Sequence, residues 1–221
     1  MERPQKIDCV LFDCDGVLVD SEPVAARRNV KVFHMLDIPA TYEDALTLCG
    51  CDGVAGIPAI AAKYGKEMDK ERFEAKTTEA RDNGILPRTI YIDPTLELNE
   101  GVRDLLVSLR EKGVKCGLVS TTVAAHVLAL LNRFDLVSLF DVIIAGDMVQ
   151  NRKPNPEPYL TAMEILGTTP EHVVVVEDSP TGVAAGVASG AYVLGYTGSS
   201  VVQDVSAAAE VLASYADFDL A

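Results

Sequence analysis

The stretch Ile7-Asp8-Cys9-Val10-Leu11-Phe12-Asp13-Cys14-Asp15-Gly16 decides the fold. Its run Ile7–Phe12 is largely apolar and breaks abruptly into two carboxylates and a glycine. A continuous apolar run, unlike a strict alternation, suits a parallel strand covered on both faces. Val114–Ser120, Val142–Ala145, Val173–Val176 and Tyr192–Gly195 read the same way. Helix-like stretches lie between them. Glu100–Glu111 runs into the stop Lys112-Gly113, and Val123–Phe134 follows the second strand run. Asn155-Pro156 opens a helix through Leu166; Ser179-Pro180 opens another that reaches Ser189 and stops at Gly190. Strand alternating with helix predicts an α/β fold, a doubly wound, Rossmann-like parallel sheet.

One segment departs from this rhythm. Between about Glu22 and Asp93 there is no strand run, only helix-like stretches at Val24–Leu36, Tyr42–Leu48, Val54–Tyr64 and Lys70–Asp82, with Thr41 as an N-cap. That is too much helix for one crossover. It reads as an inserted α-helical cap domain over 22–93, with 1–21 and 94–221 forming the core. Leu86–Glu100, holding Pro87 and Pro94, reads as the return linker. Ala207–Ala209 near the end has ordinary helix composition.

The chain of 221 residues is 48% hydrophobic, enough for a real core, and carries a net charge of −14. Such a surface repels nucleic acid, and no basic stripe offsets it. No apolar run approaches the ~20 residues that span a bilayer, and Met1–Lys6 does not read as a secretory signal. Five cysteines (Cys9, Cys14, Cys49, Cys51, Cys116) are an odd set, expected as thiols in a reducing cytoplasm. His34, His126 and His172 are scattered, which argues against zinc. Oligomeric state leaves no trace. An acidic protein that binds an anion must invert its field locally, with a divalent cation and a placed lysine.

The polar residues fall where that inversion is needed. Strand runs lead into Asp13-Cys14-Asp15-Gly16, into Ser120-Thr121-Thr122, toward Lys153, and into Glu177-Asp178-Ser179. In an open parallel sheet, ligands bind beyond the carboxyl ends of the strands. Asp13 and Asp15 project to one side of an extended chain. With Glu177 and Asp178 they make a hard oxygen cluster suited to Mg²⁺. Lys153 meets phosphate oxygens, Ser120 offers a hydroxyl, and Gly16 lets the chain turn away. Each alone has a plainer reading: Ser120 a helix cap, Lys153 a surface lysine, Glu177-Asp178 an acid pair at a helix start. Their common placement after strands tips the balance.

Leu11-Phe12-Asp13-Cys14-Asp15-Gly16-Val17-Leu18-Val19-Asp20-Ser21 closely resembles the first motif of the haloacid dehalogenase superfamily of phosphohydrolases. Ser120 matches its second motif, Lys153 within Arg152-Lys153-Pro154 its third, and Glu177-Asp178-Ser179 with Gly182 its fourth. The helical insertion matches the cap of the phosphoglucomutase-like branch. The resemblance implies a Mg²⁺-dependent phosphatase acting on a small phosphorylated metabolite, a phosphosugar or sugar-acid phosphate. It makes Asp13 the nucleophile that forms an aspartyl-phosphate, and Asp15 the general acid and base. Mg²⁺ would be held by the Asp13 carboxylate, the Asp15 carbonyl, Asp178 and Glu177. Ser120, Thr121 and Lys153 would hold the phosphoryl group. Asp15 is expected to titrate above the usual ~3.9, with Asp13 ionised beside the metal.

Rival activities on this fold are weighed by departures from pattern. The β-phosphoglucomutases carry a His where this chain has Ala25, and an Arg after the glycine of the substrate loop; Gly50 is followed by Cys51-Asp52-Gly53-Val54-Ala55. Gly50–Gly56 is expected to serve as a lid segment. Haloacid dehalogenases lack the second Asp. Phosphonoacetaldehyde hydrolases need a cap lysine that forms an imine, and none of Lys63, Lys66, Lys70 and Lys76 stands out. A signalling receiver would have neither cap nor Asp15.

Overall fold

The structure is a computed structural model and describes residues 2–49 and 54–219. In chain order the elements are β1 (Cys9–Phe12), α1 (Glu22–Met35), α2 (Tyr42–Leu46), α3 (Gly56–Lys63), α4 (Lys70–Asp82), α5 (Val102–Glu111), β2 (Lys115–Val119), α6 (Ala124–Arg133), β3 (Val142–Ile144), α7 (Glu157–Leu166), β4 (Val173–Glu177), α8 (Pro180–Ala188), β5 (Tyr192–Tyr196) and β6 (Glu210–Leu212). They divide into two units, 1–20 with 97–221, and 21–96.

The first unit is built on one six-stranded sheet in the order β3-β2-β1-β4-β5-β6, parallel throughout. Every residue of β1, β4 and β5 is buried, which explains why these strands are apolar on both faces. The chain moves outward from β1 through β2 to β3, then returns to β4 on the other side of β1. This reversal puts the topological switch point at the carboxyl end of β1. Register does the rest. Phe12 pairs with both Leu118 and Val176, so the residues that follow, Asp13, Val119 and Glu177, emerge at one level.

Helix starts follow their local chemistry. Ser179 caps α8 by accepting from the Gly182 N–H at 3.1 Å, with Pro180 as first helical residue. For α7 the start lies later than Asn155-Pro156 suggests: Asn155 Oδ1 accepts from the Glu157 N–H at 2.9 Å, and the helix begins at Glu157. Two further features depart from the sequence reading. β6 is a sixth strand that no apolar run announces, since two of its three residues are exposed. Ala207–Ala209 belongs to a turn leading into β6: Ala208 N–H donates to Val205 and Ala209 N–H to Val193. Pairing with β5 outweighs the helical preference of three alanines.

The helical unit has its own core of Val32, Phe33, Ile38, Ile60, Phe73 and Leu86, with the Phe33 and Phe73 rings 4.6 Å apart. Thr41 caps α2 in a reciprocal capping box with Asp44. Asp44 also accepts from Lys63 Nζ at 2.6 Å and Tyr64 Oη at 2.5 Å, so one carboxylate joins α2 to the end of α3. The hydrogen bonds from Lys63 and Tyr64 hold its carboxyl well below the usual carboxylate range. A depressed folded pKa adds stability above the unfolded value and loses it as pH falls below ~4. Asp44→Ala is expected to cost about 1–3 kcal/mol at neutral pH, with the deficit closing as the melts are repeated at falling pH.

Candidate active site

The end of β1 delivers Asp13, whose N–H continues the ladder to the Val176 carbonyl at 3.0 Å. Its Oδ1 lies 2.6 Å from Lys153 Nζ. That ammonium is only 4% exposed and also donates to Glu177 Oε1 at 2.5 Å and to the Val119 carbonyl at 2.8 Å. Lys153 thus joins the ends of β1, β2 and β4. Its peptide bond to Pro154 is cis. Asp178 follows Glu177, and ligand oxygens of Asp13, Glu177 and Asp178 all lie within 4.8 Å of one another. Gln203 Nε2 donates to Asp178 Oδ2 at 3.2 Å.

Glycines make room for these carboxylates. A Cβ on Gly16 would fall 1.9 Å from Asp178 Oδ2, and Gly16 has φ +77°, so both space and backbone demand glycine. A Cβ on Gly182 would fall 1.9 Å from Glu177 Oε2. Gly16→Ala is expected to displace Asp178 and destabilise the fold by about 1–3 kcal/mol, as read by thermal unfolding; a parent-like melt would show that the turn relaxes without cost.

The remaining sequence candidates take different positions. Ser120 is buried, its N–H donates to the Ile144 carbonyl at 2.9 Å, and its Oγ accepts from the Thr122 N–H at 3.1 Å. Asp15 Oδ2 accepts from Thr122 Oγ1 at 3.2 Å. Thr121 is exposed, and its carbonyl stands 2.0 Å from where a Gly146 Cβ would be. Its neighbour Thr122 is therefore the hydroxyl of this loop that reaches an Asp of the first motif. Cys14 is fully buried between the two acids, and burial pushes its thiol up, as it does for Cys9 and Cys116. These thiols are packing groups.

Three carboxylates meet one ammonium here, so the cluster has an excess of negative charge. Burial pushes the Asp13 carboxyl up to about 7, with Glu177 and Asp15 adding to the rise and Lys153 opposing it. Burial works against the Lys153 charge, yet Asp13 and Glu177 outweigh it and hold the ammonium well above its ordinary range. An all-oxygen donor set with surplus negative charge fits a hard divalent cation, which would remove the strain on Asp13.

In the helical unit His34, Lys63, Lys70 and Lys76 have structural partners. His34 Nε2 lies 3.0 Å from the Ala40 carbonyl, and Lys76 pairs with Glu79 at 2.8 Å. The hydrogen bond to Asp44 holds the Lys63 ammonium above its ordinary range, the reverse of what an imine-forming lysine needs. Ala25 lies on α1. Gly50–Gly53 of the expected lid segment lie outside the described residues.

Comparison with known proteins agrees with this architecture. Residues 10–196 match the family model of the haloacid dehalogenase-like hydrolases. A phosphorylated carbohydrates phosphatase of Thermotoga maritima is 33% identical over 184 residues, covering 83% of this chain and 82% of that protein. A phosphoglycolate phosphatase of Salmonella paratyphi A is 31% identical over 211 residues, covering 89% and 84%. Among solved structures, a haloacid dehalogenase family hydrolase of Deinococcus radiodurans, with bound phosphate and sodium, superposes with a TM-score of 0.79 at 29% identity, covering 98% of this chain and 94% of that one. The chain belongs to the haloacid dehalogenase-like hydrolases. Within that family it is a phosphatase. Among the described residues, no helix is long and apolar enough to cross a membrane.

Proposed function

We propose that this phosphatase is Mg²⁺-dependent and hydrolyses a small phosphorylated metabolite, a phosphosugar or sugar-acid phosphate, through an aspartyl-phosphate on Asp13. The observation that carries the reading is the meeting of Asp13, Lys153, Glu177 and Asp178 at adjacent strand ends. The substrate class is supported by relatives named for phosphorylated carbohydrates and phosphoglycolate.

An Asp13 carboxylate oxygen attacks phosphorus, the bond from phosphorus to the ester oxygen breaks, and Asp15 gives that oxygen its proton. Ionised Asp15 then takes a proton from water, the water oxygen attacks the phosphorus of the acyl phosphate, and orthophosphate leaves with Asp13 restored. Lys153 steadies the phosphoryl oxygens through its charge, Ser120 through its hydroxyl, and Thr121 is assigned the same task. Thr122 holds Asp15 by its hydroxyl. Asp13, the Asp15 carbonyl and Asp178 would hold Mg²⁺, with Glu177 beside them. A bound ion would supply charge neutralisation at the phosphoryl group.

Phosphate release from a panel of sugar and sugar-acid phosphates, with and without Mg²⁺, tests this reading. Turnover is expected to vanish on chelation and return when Mg²⁺ is restored. Activity indifferent to chelation would overturn the metal role. A strict need for a bisphosphate activator, with an isomeric sugar phosphate as product, would favour a mutase.

A further inference from the structure

We propose that Tyr159 is a positioning residue of the phosphate clamp, fixing Lys153 through Glu177; this rests on the phosphatase reading above. Tyr159 lies on α7 within an apolar face that includes Ala162, Met163 and Leu166, and by pattern it is a core residue. Its side chain is fully buried. Yet its hydroxyl donates to Glu177 Oε1 at 2.6 Å, and its ring lies under Lys153, with Nζ 4.8 Å from the centroid.

The geometry gives Glu177 a different task from Asp178. Glu177 is fully buried, and its Oε1 takes both the Lys153 ammonium and the Tyr159 hydroxyl. Those donors occupy the two lone pairs of that oxygen. Oε2 faces Ser179 Oγ at 3.4 Å and is packed against Gly182, where no Cβ fits. One oxygen of this carboxylate is thus taken up by protein donors, and its charge serves Lys153. Tyr159 holds it from behind: the hydroxyl sets where Oε1 sits, Oε1 sets where Nζ sits, and the ring supports the ammonium from one side. A lysine has a flexible stem, so a phosphate site that depends on one needs such bracing.

Tyr159→Phe separates positioning from packing, because it keeps the ring and removes only the hydroxyl. With p-nitrophenyl phosphate, kcat is expected to fall about tenfold, the scale of a lost hydrogen bond to a charged group. Orthophosphate binding in saturating Mg²⁺, read by calorimetry, is expected to weaken by a similar factor. Binding of Mg²⁺ alone is expected to stay within about twofold of the parent. In a Lys153→Met background, Tyr159→Phe is expected to change orthophosphate affinity by less than about twofold, because the group it acts through is gone. This arm needs no turnover. Parent-like kcat and phosphate affinity would make Tyr159 a packing residue and overturn the proposal. So would a loss of Mg²⁺ affinity as large as the loss in kcat, or an undiminished effect in the Lys153→Met background. If the parent neither turns over phosphomonoesters nor binds orthophosphate, the phosphatase reading fails instead, a result distinct from any of these.

Discussion

Asp13→Asn is expected to abolish turnover, by at least about 10⁴-fold in kcat, while the protein folds and still binds the rest of its site. The amide has nearly the shape of the carboxylate and keeps an acceptor oxygen for Lys153 at the 2.6 Å contact. What it lacks is an anionic oxygen able to form the bond to phosphorus. Because burial pushes Asp13 up to about 7, the wild-type carboxyl is costly to keep charged, and the neutral amide relieves that cost. The variant is thus expected to melt no lower than the parent in metal-free buffer. Near-normal kcat in a folded variant would move the nucleophile elsewhere.

Asp15→Asn is expected to divide its effect by leaving group. With a sugar phosphate the departing alkoxide needs a proton, so the first step slows by on the order of 10³-fold. With p-nitrophenyl phosphate the leaving oxygen is stable unprotonated, and the first step persists. The second step still lacks its base, so one equivalent of nitrophenolate appears quickly and further turnover lags. Thr122 Oγ1 donates to Asp15 Oδ2 at 3.2 Å, and the amide oxygen can accept the same bond, so the loss reports proton transfer over placement. Equal loss with both substrates and no initial burst would remove Asp15 from acid–base duty.

Much of the fold is legible because the sheet is parallel and buried on both faces. β1, β4 and β5 are apolar at nearly every position and cannot be mistaken for loops. β6 is short, mostly exposed and paired with β5 at the sheet edge, so its sequence has no strand period to read. At the site, residues of charged or hydroxyl type at strand ends are visible one by one. Partners that reach in from elsewhere are not. Gln203 precedes β6 in an irregular segment, and no local pattern marks its bond to Asp178. Tyr159 hides in a helical apolar stripe, although a tyrosine in such a stripe needs a partner for its hydroxyl, and that signal was available. Thr122 shares a loop with Thr121, and only the backbone path past Gly146 shows which of the two turns toward Asp15. The charge state of Asp13 is the least legible of all, since it depends on burial and on Lys153 and Glu177 together.

The chemistry stands or falls on whether phosphorus becomes bonded to Asp13. The direct measurement is to mix Asp15→Asn with Mg²⁺ and p-nitrophenyl phosphate, quench in acid, and map the peptides by mass spectrometry. The account predicts that the peptide containing Asp13 gains the mass of one phosphoryl group, lost on treatment with hydroxylamine as an acyl phosphate must be. A burst of nitrophenolate with every peptide unmodified, or with the phosphoryl group on another residue, would contradict it.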